Sequence, residues 1–376
     1  MIYYTQKTTG VSVLKPSKLG LGLMRLPRIQ NDKEDIDYDK AKEIVNYAYE
    51  NGITYYDTAY FYHGGTSEEF TGKALKEFPR DTYLLATKMP GWALKTEEDL
   101  DNIFNEQLRR LQTDYIDYYL YHSVNQSTLP NFYKYNCYEF LMKKKKEGKI
   151  RKLGFSFHDT PQVLKQLIDE FEWDFAQIQL NYLDWELQDA KTQYRLLEEK
   201  NIPCIVMEPV RGGALAELGE KANNLLKSLR PDKSIASWAI RYCASLPNVQ
   251  TILSGMSNME QIVDNVNTIN NFEPLGNEEY EYLEKALRIY REKDKVPCTN
   301  CRYCLDCPST VDIPKVFDIY NDYVLDMDKD RLKARLNDIE SSRQAGNCTD
   351  CKNCMEKCPQ SIDIPNMLGT ILALVK

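Results

Sequence analysis

The sequence predicts an α/β fold, a closed eight-unit barrel followed by a smaller cysteine-rich domain. Three observations carry that reading. Short apolar stretches alternate with amphipathic ones eight times, the pattern of parallel strands joined by crossover helices. The alternation fits within roughly 250 residues and places polar groups at strand C-terminal ends, which favours a closed barrel over an open doubly wound sheet. Eight of the eleven cysteines then fall between Cys298 and Cys358.

The elements follow in order. Lys18–Met24 is apolar with two glycines and reads as the first strand. Asp39–Glu50 places Ala41, Ile44, Val45 and Ala48 at helical spacing, and Gly52 ends it. Ile53–Tyr60 is a strand, and Ser67 reads as the N-cap of a helix from Glu68 to about Glu77. Strands follow at Thr82–Thr87, Tyr115–Tyr121, Lys152–Phe157, Phe175–Asn181, Ile202–Met207 and Val249–Ser254. Helices at Glu97–Leu111, Tyr138–Glu147, Pro161–Glu170, Asp189–Lys200, Ile235–Ser245 and Met259 to about Thr268 separate and follow them. The result is a (β/α)8 TIM barrel over residues 1–276, a charged connecting helix over 277–295, and the cysteine domain over 296–376.

Composition narrows the function. A net charge of -8 argues against a nucleic-acid surface, which needs a basic stripe. The one basic run, Lys143–Lys146, closes a helix, where it complements the helix dipole. No apolar stretch has the length of a membrane span and no signal-peptide pattern opens the chain, so the expectation is a cytoplasmic protein. In a reducing compartment clustered cysteines favour metal over disulfides, whereas Cys137, Cys204 and Cys243 lie in apolar contexts as core residues.

Polar groups at three successive strand ends draw attention. Asp57 and Tyr62 follow the second strand, Lys88 the third and His122 the fourth. Singly each has a bland explanation; together they make a proton-donating site. The arrangement Asp57-Thr58-Ala59…Tyr62, Lys88, His122 resembles the catalytic tetrad of the aldo-keto reductases. The resemblance implies reduction of an aldehyde or ketone by NAD(P)H, or the reverse oxidation of an alcohol, with Tyr62 as general acid. An unperturbed tyrosine, near pKa ~10, donates reluctantly, and a neighbouring ammonium such as Lys88 stabilises its phenolate. Asp57 would keep Lys88 charged, and His122 would donate to the developing oxyanion. One departure is His63, which stands where the family usually has glycine.

The resemblance runs from about residue 18 to 270 and implies a nicotinamide site. Ser156 and Gln179 match positions that bind the nicotinamide amide, although Phe157 replaces the usual asparagine. Met207 lies where many members stack a tyrosine on the ring. Met207-Glu208-Pro209-Val210-Arg211-Gly212-Gly213 matches the loop that wraps the pyrophosphate after strand seven. Gly255, Ser257, Gln261, Asp264 and Asn265 match the adenosine-end region, where no cation is evident, so NADP and NAD both stay open.

The tail carries Cys298-x2-Cys301-x2-Cys304-x2-Cys307-Pro308 and Cys348-x2-Cys351-x2-Cys354-x3-Cys358-Pro359. Each run leads into an Asp-Ile-Pro that reads as a helix start. Structural zinc sites usually pair Cys-x2-Cys units across a loop. The runs instead resemble a ferredoxin-like domain with two [4Fe-4S] clusters, in which the fourth cysteine of one run ligates the other cluster. That implies Cys298, Cys301, Cys304 and Cys358 at one cluster, and Cys348, Cys351, Cys354 and Cys307 at the second. The partners expected are a small carbonyl substrate and an external electron carrier. Hydride moves two electrons and each cluster takes one, so a relay between them would need an intermediary such as FMN.

Overall fold

The computed structural model describes residues 14–29 and 35–375, which form two units. The first comprises the chain up to Val210 together with Ala236–Leu275. Its eight parallel strands close in sequence order, β1 (Leu19–Gly22), β2 (Tyr55–Asp57), β3 (Leu84–Met89), β4 (Ile116–Val124), β5 (Ile150–Phe157), β6 (Phe175–Gln179), β7 (Cys204–Met207) and β8 (Val249–Ser254). Closure is made by β1 against β8, with Leu21 opposite Ser254. Parallel strands bring all their C-terminal ends to one rim, where a barrel of this kind places its chemistry.

An aromatic column fills the barrel. Tyr55, Tyr118 and Phe175 meet edge to face with centroids 4.9 Å apart at each step, among Leu84, Leu120, Ile205 and Leu253. That bulk needs small neighbours. A Cβ at Gly154 would lie 2.5 Å from the Phe175 carbonyl oxygen and 2.7 Å from its ring, so β5 requires glycine there.

Several elements depart from the sequence expectation. β2 stops at Asp57 although the apolar run continues to Tyr60. The Thr58 N–H still bonds the Ala86 carbonyl, and beyond it the chain turns out over the rim into the 3-10 turn Tyr62–Gly65. Ser67 is the first residue of its helix rather than the cap. Its hydroxyl bonds that of Thr58 at 2.8 Å, tying the helix to the loop after β2. His122 lies inside β4, which runs on to Val124 through an irregularity at Ser123, where φ is +54°.

The second unit comprises Arg211–Ile235 and Gly276 onward. Residues 211–235, which fall within the stretch the sequence reading gives to the barrel domain, group with residues 276 onward. Helix Glu220–Leu229 buries Ala222 and Leu226 and packs on helix Asn277–Arg291. Arg230 also reaches Glu279 at 2.8 Å. Both Asp-Ile-Pro copies start helices as their pattern predicts, at Ile313–Asp326 and Ile364–Val375. Asp312 caps the first by accepting the Lys315 N–H and pairs with Arg343 at 2.8 Å. A small core of Val311, Ile313, Val316, Phe317, Ile364, Leu368 and Ile371 joins these helices.

Lys143–Lys146 closes helix Cys137–Lys146, with Lys144 on Asp101 and Lys145 on Asp174. Among the described residues no helix is long and apolar enough to cross a membrane.

Candidate active site and cysteine clusters

Asp57 ends β2 and Lys88 is the penultimate residue of β3, on neighbouring strands whose register sets Asp57 beside Ala86. The Lys88 side chain is fully buried. Its ammonium donates to Asp57 Oδ1 at 2.6 Å and to the Thr58 carbonyl at 2.7 Å, and stands 4.8 Å from the centroid of the Tyr62 ring. Tyr62 meets the His122 ring edge-on, with centroids 5.7 Å apart. The structure therefore brings Asp57, Lys88, Tyr62 and His122 together on one rim.

Burial raises the Asp57 carboxyl and lowers the Lys88 ammonium, while their mutual attraction opposes both shifts. His122 is held well below the ordinary imidazole value by burial, with the Lys88 charge adding to it. It is a neutral imidazole near neutral pH.

The turn that presents Tyr62 shows why glycine is the usual residue at position 63. His63 has φ +52°, the left-handed region that favours glycine, and its side chain is buried. Beyond it Phe61 and Trp92 stack with centroids 6.0 Å apart, and Trp92 lies 4.9 Å from His122. Both aromatics are more than two-fifths exposed, forming a rim above the buried charge pair.

A buried carboxylate that sequence reasoning passed over supports this site from behind. Glu68 accepts from Thr87 Oγ1 at 2.6 Å, Gln107 Nε2 at 2.9 Å and Arg110 at 3.3 Å. Gln107 also donates to the Lys88 carbonyl at 3.0 Å, fixing the backbone that carries the lysine. In sequence Glu68 looks like first-turn helix charge.

The residues matched to a nicotinamide cofactor divide between the two units. Ser156, Gln179 and Met207 lie at the C-terminal ends of β5, β6 and β7. Ser156 Oγ accepts the Ser123 N–H at 2.7 Å and donates to the Tyr121 carbonyl at 3.3 Å, leaving it one acceptor lone pair. Gln179 and Asn181 both donate to Asp184, at 2.8 and 2.6 Å, so Asp184 orients that amide. Glu208, at φ +54° and followed by Pro209, pairs with Arg25 at 2.5 Å.

Arg25 brings a cation to this end of the barrel that the sequence reading did not identify, and it pairs with Glu208. Its stem lies across Gly255, where a Cβ would come within 3.0 Å, and its carbonyl accepts the Ser257 hydroxyl at 2.7 Å. Gln261 accepts the Ser257 N–H, and Asn265 donates to Ser254 Oγ at 3.0 Å. Arg25 follows β1 directly, far in sequence from the glycine it covers.

Arg211, Gly212 and Gly213 belong to the second unit. Arg211, matched to a pyrophosphate contact, is buried against that unit's own chain, donating to the Pro297 carbonyl at 3.1 Å and Gln360 Oε1 at 2.8 Å.

None of the eleven cysteines is in a disulfide. Cys137, Cys204 and Cys243 are buried in the barrel unit, and burial pushes the Cys204 thiol up to about 12. Cys298, Cys301, Cys304 and Cys358 line one cavity, with Ile313, Phe317 and Gln360. Cys307, Cys348, Cys351 and Cys354 line a second, with Ile313, Pro365 and Leu368. Each run thus sends its last cysteine to the other run's cavity. Four soft sulfur donors in an apolar setting suit an iron–sulfur cluster.

Residues 18–288 match the aldo/keto reductase family, and residues 297–363 match a 4Fe-4S dicluster domain. The chain belongs to the aldo-keto reductase family. This aldo-keto reductase is 28% identical over 291 residues to L-galactose dehydrogenase of Arabidopsis thaliana, covering 72% of this chain and 89% of that one. It is 26% identical over 305 residues to the NADH-specific methylglyoxal reductase of Escherichia coli, covering 69% and 92%. The holo form of the aldo-keto reductase AKR11C1 from Bacillus halodurans superposes with a TM-score of 0.59 at 29% identity, covering 76% of this chain and 96% of that one. The protein is accordingly an oxidoreductase that joins a reductase barrel to an iron–sulfur domain.

Proposed function

We propose that the barrel reduces a small aldehyde or ketone with NAD(P)H, and oxidises the alcohol in reverse. The observation that carries this reading is the Lys88 ammonium, held by Asp57 and directed at the Tyr62 ring. The nicotinamide supplies the hydride. Tyr62 holds the proton that goes to the carbonyl oxygen, and Lys88 stabilises the phenolate left behind. Neutral His122 donates a hydrogen bond to the same oxygen, and Phe61 and Trp92 border the substrate.

The residues present fit the cofactor. Ser156 and the Asp184-oriented Gln179 would hold its amide, Met207 would pack its ring, and Arg25 with Gly255 and Ser257 would receive its phosphates. The relatives' names support a nicotinamide reductant, and the methylglyoxal reductase among them is described as specific for NADH. The eight cysteines hold two [4Fe-4S] clusters in the crossed arrangement described above.

Aldehyde-dependent oxidation of NADH and NADPH tests the core of this proposal. Tyr62→Phe is expected to lower kcat by ~10²–10⁴, the value of a general acid. Unchanged turnover in that variant refutes the assignment.

A second reading makes the protein a relay that passes electrons between the barrel cofactor and an external carrier through the clusters. It is favoured by the segment 211–235, which leaves the barrel after β7 and packs with the cluster domain. Anaerobic titration with NADH or NADPH alone separates the two. Bleaching of the visible cluster absorbance supports the relay, and a flavin band would identify FMN as its two-electron to one-electron step. No bleaching, with carbonyl-dependent cofactor oxidation afterwards, supports the reductase alone.

A further inference from the structure

Arg211 is among the largest fully buried side chains of the described residues. One arm of the guanidinium donates to the carbonyl of Pro297, the residue before Cys298. The other donates to Gln360, two residues beyond Cys358 and itself part of the first cavity's lining. The neighbouring glycine fixes this seat. Gly212 has φ +63°, and a Cβ there would lie 2.1 Å from the Thr299 carbonyl oxygen, so the segment docks flush on the chain around Cys298. The cation that lines the second cavity, Lys352, is exposed, as is its cysteine Cys351, whereas Arg211 is buried.

We propose that Arg211 is a positioning residue for the cluster held by Cys298, Cys301, Cys304 and Cys358, and that it raises the reduction potential of that cluster alone. This rests on the iron–sulfur reading above. One-electron reduction adds a negative charge to the cluster without making or breaking a bond. A buried guanidinium bonded to the chain that frames the cavity stabilises the reduced form, since a charge in a low-dielectric setting is poorly screened. Net charge, hydrogen bonding and solvent exposure are the protein's means of setting such potentials. Arg211 also holds the Pro297 carbonyl and the Gln360 amide, and with them both chain segments that bring cysteines to this cavity.

The test is an anaerobic potentiometric titration of the full-length, iron-loaded protein, followed by electron paramagnetic resonance with iron and sulfide counted. Wild type is expected to show two one-electron waves. Arg211→Gln lowers one wave by ~59 mV or more, a tenfold change in the reduction equilibrium for one electron, and leaves the other in place. Arg211→Lys, which keeps the charge, recovers most of the shift. If Arg211→Gln loses iron, Gln360→Glu carries the test, because it sets a carboxylate of nearly the same shape against the guanidinium and lowers the same wave. Full iron content with both waves unmoved, or both moved equally, overturns the proposal. A wild-type protein without iron and sulfide overturns the iron–sulfur reading instead.

Discussion

The rim of the barrel and the cysteine domain hold their functional groups in opposite ways. At the rim, Asp57 and Lys88 meet on adjacent strands whose register is set by the sheet, and the ion pair is made by two protein groups alone. In the cysteine domain the thiols surround cavities, all but Cys351 are only partly buried, and the apolar core behind them is small. The first site is built by the fold. The second is completed by what it binds, as in small metal domains whose binding energy is folding energy.

Removing iron breaks this contrast most severely. Chelation under anaerobic reducing conditions should abolish hydrogen-exchange protection from residue 276 onward and in 211–235, while strands β1 to β8 keep theirs. Equal loss in the strands would mean that the barrel also depends on the clusters.

Next in size is Lys88→Met, which leaves the Asp57 carboxylate buried without its cation. The expected loss is ~3–5 kcal/mol in barrel stability at neutral pH. Burial already raises the Asp57 pKa above its unfolded value, so the mutant's deficit should shrink as pH falls and the carboxyl protonates. Denaturant melts of mutant and wild type at pH 8 and pH 5 check both sign and size.

Arg25→Gln sharpens the comparison at the cofactor end. It should raise KM for the nicotinamide cofactor about tenfold, ~1.4 kcal/mol, with little change in kcat. A larger effect on NADPH than on NADH would place the 2′-phosphate at Arg25, and steady-state kinetics with both cofactors decides it.

The smallest effect concerns acid stability. His122 is lowered well below its unfolded value near 6.5, and His158 is lowered to about 4, both chiefly by burial. The unfolded chain therefore binds more protons than the folded one below pH ~6.5. The stability each contributes is present above that pH and is lost as pH falls toward the folded value, by at most ~1.4 kcal/mol per pH unit per group. His122→Asn should flatten the decline in barrel stability between pH 6.5 and 5, measured by denaturant titration.

The barrel was legible because its periods are local. Alternating apolar runs locate the strands, and parallel strands leave Asp57, Lys88 and His122 near one rim whatever the loops do. The cysteine runs were legible because ligand spacing is local too. Glu68 and Arg25 were not, since a charge in a helix's first turn or after a strand looks like surface until the chain that covers it is known. Residues 211–235 were hidden for the same reason, because helix Glu220–Leu229 packs on a helix that begins only at Asn277. Ser67 misled in the other direction. Its cap-like context was overridden by Thr58, which offered its hydroxyl a better partner.

The placement of residues 211–235 bears on where this gene could have been cut and joined. A domain appended at the end of a chain can be trimmed by a stop codon, leaving an intact predecessor. Here a stop after Leu275 would strand helix Glu220–Leu229, with Ala222 and Leu226 facing water in place of their lost neighbours. During synthesis that helix must likewise wait for helix Asn277–Arg291 to emerge before its apolar face is covered. The two units are interleaved along the chain, so a cut at Leu275 parts helix Glu220–Leu229 from the helix it packs on, whereas one after Arg291 keeps the pair together.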